Sequence, residues 1–179
     1  RSKFQHGKKY HYCSPNSDLL GWIIERTSGE KFSNIMSELL FKPAGINYEA
    51  NITVDKLGAP RSAGGISITP YDLLLISELV RKNGYNKNGQ IIPENWINDL
   101  KGYQDNSCYL NQDELKRFPN GNYRSKWYQT GFEDDEFCGI GIHGQNIWIN
   151  PKKELSVVRM SSASDPINIT TEELMFSVF

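Results

Sequence analysis

The sequence predicts an α+β fold: helices first, then antiparallel strands, then a closing C-terminal helix. Three observations carry this. Apolar residues recur at helical spacing through the first hundred positions, and β-rich alternating runs occupy Phe137 to Met160. The regular strand–helix alternation of a doubly wound sheet is missing.

The first helix is expected from about Asn16 to Arg26, where Leu19, Leu20, Ile23 and Ile24 share a face with Trp22 alongside. Asn16 or Ser17 would cap it, and Gly29 supplies a left-handed stop. A second helix, capped by Ser33, carries Ile35, Met36, Leu39 and Leu40 until Pro43-Ala44-Gly45 breaks it. Residues 46–68 read as irregular chain. Thr69-Pro70-Tyr71-Asp72 is the strongest local signal: a capping Thr, a Pro at the first helical position, and a carboxylate at the positive helix end. Leu73 to Val80 fills that helix and Gly84 ends it, and a short helix starts at Pro93-Glu94. Residues 102–136 read as polar, aromatic and loop-rich. Strands follow over Phe137–His143, Gln145–Asn150 and Glu154–Met160, the last two joined by a turn at Asn150-Pro151-Lys152-Lys153. Thr170 to Phe179 reads as the terminal helix.

A length of 179 residues suits one domain with a real core. Twenty Lys+Arg against 21 Asp+Glu give a net charge of -1, so nothing draws the chain to nucleic acid or an anionic membrane. No apolar run approaches the roughly 18 residues of a membrane span. Arg1 to Tyr12 lacks the apolar core of a signal peptide, and the absence of an initial Met suggests a processed or truncated start. Cys13, Cys108 and Cys138 are odd in number and widely spaced, which argues against a disulfide framework and leaves the compartment open. His6, His11 and Cys13 fit no standard zinc spacing, so no metal site is expected. Glu133-Asp134-Asp135-Glu136 reads as a solvated turn.

Four blocks of sequence stand in a telling order. Tyr12-Cys13-Ser14 opens a helix containing Leu20-Gly21. Ser62-Ala63-Gly64-Gly65 leads to a helix with Asp72-Leu73. Gly89-Gln90-Ile91-Ile92-Pro93-Glu94-Asn95-Trp96 follows. Gly141-Ile142-His143-Gly144-Gln145 precedes Ile147-Trp148-Ile149-Asn150-Pro151. Over nearly the whole chain these blocks resemble the β-lactamase-like, penicillin-recognising serine hydrolases. The nearest branch is the one containing 6-aminohexanoate-dimer hydrolases and related esterases. The resemblance implies that residues 1–179 are the C-terminal part of a single β-lactamase-like domain whose N-terminal portion carries a Ser-x-x-Lys nucleophile. It implies hydrolysis of a small-molecule amide or ester through an acyl-enzyme. No cofactor is implied, because serine acyl transfer needs only side chains and water.

By the same resemblance Tyr12 is the second-motif phenol that shuttles the proton. Ser14 stands where the family often has Asn, as a substrate-binding position. His143 falls on the strand lining the site, in place of a Lys-Thr-Gly; that motif is absent, which counts against true β-lactamase activity. Backbone N–H groups near Gly144 and Gln145 would bind the oxyanion, and Trp127 would line the cleft. Each residue has a plainer reading: Tyr12 as a surface aromatic, His143 as a satisfied histidine, Gln145 as a cross-hairpin bond, Trp127 as cover for a core edge. Ser28-Gly29-Glu30-Lys31 matches Ser-x-x-Lys by letter, but Gly29 interrupts the helix that the pair would need to share. Gly139 to Gly144 matches GxGxxG by letter, yet a strand follows it instead of a helix. Two further readings stay open: a non-catalytic ligand-binding module of the penicillin-binding type, and an inactive fragment.

Overall fold

In the computed structural model, the residues described are 5, 8–102, 105, 107–110, 118, 120–132 and 135–167. The terminal helix expected at Thr170–Phe179, His6, and the Glu133-Asp134 pair lie outside them.

Helix α1 spans Ser14–Ser28 and starts earlier than expected: Pro15 sits in its first turn, where a missing N–H costs nothing, and Cys13 takes the cap position in place of Asn16 or Ser17. Gly29 ends it in the left-handed conformation, φ 75°, and donates to Glu25 O. Helix α2 covers Phe32–Met36. Its cap is not Ser33, which lies inside it; the Glu25 carboxylate of α1 reaches across to accept the Phe32 N–H at 2.9 Å. A π-helical turn, Ser37–Phe41, leads into α3, Lys42–Ala44, where Pro43 can supply no backbone donor.

The stretch expected to be irregular holds a two-stranded ladder, β1 (Asn51–Ile52) with β2 (Ile66–Ser67). Helix α4, Pro70–Arg81, is capped as predicted: Thr69 Oγ1 accepts the Asp72 N–H at 3.1 Å. Asp72 is fully buried, and its carboxylate accepts from Thr69 Oγ1 and from the backbone of Asn47 and Tyr48. Thr69 thus closes the helix, and the Asp72 carboxylate holds Thr69 and pins the preceding loop. The hairpin β3 (Tyr85–Asn86) and β4 (Gly89–Gln90) precedes α5, Glu94–Gly102.

The loop-rich reading of residues 102–136 is corrected. After the short helix α6, Ser107–Leu110, it contains two strands, β5 (Asn122–Arg124) and β6 (Trp127–Gln129). With β7 (Phe137–Gly141), β8 (Gln145–Asn150) and β9 (Leu155–Arg159) they form an antiparallel meander in the order β5-β6-β7-β8-β9. Register sets the core. Cys138 pairs with Trp148 on one face, packed with Phe118 and Tyr128; Phe137 pairs with Ile149 on the other, packed with Val80, Ile97 and Leu100. Helix α4 lies over β8 and β9.

Candidate functional site

A cavity of about 330 Å³ opens where the start of α1, the 62–63 loop, the tip of the β5–β6 hairpin and the end of β7 meet. The first two sequence blocks explain one wall. Ser62 Oγ donates to Ser17 O at 2.7 Å, and Ala63 N–H donates to Asp18 Oδ1 at 2.9 Å. Such close packing needs Gly21, because a Cβ there would sit 2.5 Å from Ser62 Oγ. The opposite wall is sheet edge. Strand β6 pairs with β7 only at Tyr128–Cys138 and Gln129–Phe137, so Gly139, Ile140 and Gly141, paired with β8 on one side, have no strand on the other among the described residues and line the cavity there.

Tyr12, just before α1, and Ser14, its first residue, line this cavity from one side, and Gln145 from the opposite wall. The Tyr12 ring is more than half exposed and meets Tyr123 edge-on, centroids 6.4 Å apart; its hydroxyl has no hydrogen bond among the described residues. Tyr123, itself edge-on to Tyr10 and Tyr128, has its phenol held well above the ordinary range, first by burial and then by the neighbouring tyrosines. Gln145 offers the cavity its stem. Its amide donates to Ser161 O and accepts the Ser161 N–H at 3.2 Å, which is the cross-strand bonding that the plainer reading expected.

Three expected site residues stand elsewhere. His143 is not on a strand: β7 ends at Gly141, and Ile142–Gly144 form a 3-10 turn with His143 at φ 60°. Its Nδ1 bonds Ala163 O at 2.9 Å, and its N–H donates to Pro166 O, so it ties residues 163–166 to the turn. Because the partner is a carbonyl, Nδ1 carries the proton. Gly144 is buried beneath Arg159 and Ser161. Gly144 lies in the turn before β8, and Gln145 pairs with Gly141 of β7; the edge open to the cavity belongs to β7. Trp127 lies on β6 with its ring edge-on to Phe137 at 5.4 Å, packed on the α4–α5 side of the sheet and not in the cavity lining.

Sequence reading missed Tyr123, Lys126 and the β7 edge. The signal was present but unusual. The β5–β6 turn is Ser125-Lys126, both at positive φ (51° and 73°), where Asn-Gly is the common pair. Ser28 and Lys31 fall on opposite sides of the Gly29 stop, Ser28 donating back to Ile24 O at 2.7 Å and Lys31 in extended backbone.

The model of one protein family, described as Beta-lactamase, matches residues 1–176. The chain belongs to the beta-lactamase family. A 6-aminohexanoate-dimer hydrolase of Paenarthrobacter ureafaciens is 32% identical over 158 residues, 88% of this chain and 40% of that protein. The chain therefore spans less than half the length of this curated relative. Among solved structures, a Bacillus anthracis protein provisionally assigned as a 6-aminohexanoate-dimer hydrolase superposes with a TM-score of 0.83 at 22% identity, covering 99% of this chain and 45% of that one. The octameric penicillin-binding protein homologue of Pyrococcus abyssi gives a TM-score of 0.60 at 16% identity, over 96% of this chain and 43% of that one. These similarities fit the α+β arrangement of mixed helices and antiparallel sheet to the beta-lactamase-like fold. They place the chain in a family of serine hydrolases. No helix among the described residues is long and apolar enough to cross a membrane.

Proposed function

We propose that these residues form the substrate-facing C-terminal part of a serine hydrolase domain that cleaves a small amide or ester through an acyl-enzyme. The observation that carries this reading is the meeting of Tyr12, Ser14 and the open β7 edge around one cavity. The nucleophilic serine and its lysine would come from a Ser-x-x-Lys helix outside these 179 residues. Tyr12, with its hydroxyl uncommitted, passes the serine proton to the leaving group. Ser14 orients the substrate. The β7 edge at Gly139–Gly141 supplies fixed backbone donors and acceptors to the substrate backbone and the developing oxyanion. His143 acts at one remove, holding residues 163–166 on the turn that ends β7, and Gly144 lets the turn close under Arg159.

In the full-length protein, Tyr12→Phe should lower kcat for p-nitrophenyl butyrate by 10²-fold or more, in the range of general acid–base catalysis, with an unchanged melting temperature. Wild-type turnover in Tyr12→Phe would sink this role.

A ligand-binding module is the second reading, favoured by one observation: no Ser-x-x-Lys pair in this chain shares a continuous helix. Mass spectrometry after p-nitrophenyl ester treatment separates the two. An acyl adduct on a serine of the full-length protein supports the hydrolase, and binding without an adduct supports the module.

A further inference from the structure

We propose that Lys126 makes this site selective for substrates that carry a negative charge, a reading that rests on the proposed hydrolase function. Among the described residues the cavity lining holds one ammonium, Lys126, and no carboxylate. The nearby acid, Asp18, is committed behind the wall: Oδ1 accepts the Ala63 N–H at 2.9 Å and Oδ2 lies 3.6 Å from Arg61 Nη1. The hairpin's other cation is also committed. Arg124 Nε and Nη2 donate to the two Asp99 carboxylate oxygens at 2.8 and 2.9 Å. Lys126 has no ion-pair partner among the described residues, so its charge faces the cavity uncompensated.

The hairpin fixes the backbone of Lys126 at the rim of the cavity. Lys126 occupies a left-handed position, φ 73°, that disfavours any side chain beyond glycine or asparagine, next to Ser125 at φ 51°. Backbone strain of this kind is kept where the displayed side chain is useful. The Arg124–Asp99 fork fixes the base of the turn against α5, and Tyr123 packs between Tyr10 and Tyr128. The start of α1 opens on the same space with no acidic residue in its first turn, so the two features contribute a field of one sign. An anionic group placed within a few ångströms of Lys126, in a partly dry cleft, gains about 10-fold in binding over a neutral isostere.

The test compares esters of matched size in the full-length protein: p-nitrophenyl butyrate, mono-p-nitrophenyl glutarate with the anion on the acyl side, and 4-carboxyphenyl butyrate with it on the leaving side. We expect one anionic ester to be preferred by about 10-fold in kcat/KM at low salt, with the preference shrinking in 0.5 M NaCl as screening requires. Lys126→Gln should remove the preference, Lys126→Glu should invert it, and Lys126→Arg should keep it. Lys56→Gln, an equal charge change on a turn outside the cavity, should leave it unaltered. Anionic preference absent in the wild type, or surviving Lys126→Gln, overturns the proposal. If no ester turns over, the hydrolase reading fails by itself, and ¹H–¹⁵N NMR decides the charge reading. Monomethyl glutarate, but not methyl butyrate, should then shift the Ser125–Trp127 amides, and Lys126→Gln should abolish the shift. Equal responses to both ligands, or none, would overturn the Lys126 assignment as well.

Discussion

The C-terminal meander and the N-terminal helices are both rich in apolar residues, but they use them differently. In the sheet, Trp148, Phe137, Cys138 and Ile149 are essentially sealed from solvent, two on each face. In α1, only Gly21 is buried, while Leu19, Leu20, Trp22, Ile23 and Ile24 are exposed by 39% to 50%. Both segments carry the right period, 2 for the strands and 3.6 for the helix. Among the described residues, only the sheet has apolar partners on both faces. Periodicity tells which face of an element is apolar and says nothing about whether the covering surface lies in the same stretch of chain. An exposed apolar stripe of this length is the kind of surface that contacts between protein segments bury.

The largest effect expected from this contrast is in the sheet. Trp148→Ala empties a site ringed by Phe118, Tyr128 and Cys138. It should cost about 3–5 kcal/mol of unfolding free energy, or prevent folding, as large-to-small changes in closed cores do. Urea titration measures it. A loss below about 1 kcal/mol would mean that this face of the sheet is less sealed than its geometry indicates.

Asp72 tests the joint between the two regions, since its carboxylate accepts from the capping Thr69 hydroxyl and holds the Asn47 and Tyr48 amides at 3.1 and 3.3 Å. Asp72→Ala empties a fully buried site and removes the shared acceptor of the Thr69 hydroxyl and the Asn47 and Tyr48 amides, so we expect a loss of about 2–3 kcal/mol. Hydrogen exchange should quicken at Asn47 and Tyr48 while β7 and β8 keep their protection. Uniform loss of protection would show that the two regions unfold as one unit.

Much of this was legible before any coordinates. The Thr69-Pro70-Tyr71-Asp72 cap, the Gly29 stop and the β8–β9 hairpin follow from local chemistry and stand as expected. The misses have physical causes. Strands β5 and β6 were hidden because Ser125-Lys126 reaches positive φ without the usual Asn-Gly. The cap of α2 was hidden because it comes from Glu25, a residue of the preceding helix, and tertiary caps leave no local mark. Tyr12 and Ser14 could be placed from their block of sequence. The β7 edge opposite them could not, because an edge is defined by where a neighbouring strand stops, and that was decided by an unrecognised hairpin. His143, expected to end its strand, instead sits in the turn after it, because Gly141 to Gly144 folds back tightly into β8.

A smaller effect is set by pH. Glu78 on α4 is held at about 2, first by the bidentate Arg81 fork at 2.7 and 2.8 Å, against burial, with the Arg81 and Lys82 charges adding to it. Its folded-state value lies below the ordinary 4.5, so its contribution is complete above about 4.5 and is lost as pH falls toward about 2. Partial solvent access screens the pair, and about 1 kcal/mol is expected. Stability from urea titrations at pH 6 and pH 3 should converge in Glu78→Gln relative to the parent. An identical acid dependence in the variant would locate the acid sensitivity elsewhere, away from the α4–β9 contact.

The smallest effect returns to α1. In the 179-residue chain, Trp22→Ala and Ile23→Ala remove side chains that are 49% and 44% exposed, so each should change unfolding free energy by less than about 1 kcal/mol. The same substitutions in the full-length protein carry the comparison further. If a nucleophile-bearing segment packs on α1 there, the stripe becomes core, and each substitution should then cost about 2–4 kcal/mol through lost burial and an unfilled cavity. Urea titrations of both forms give the difference directly. Equal, small costs in the two would leave the stripe solvent-facing in the whole protein. The covering segment, and with it the route by which a serine could reach Tyr12, would then have to approach from the β7 side of the cavity.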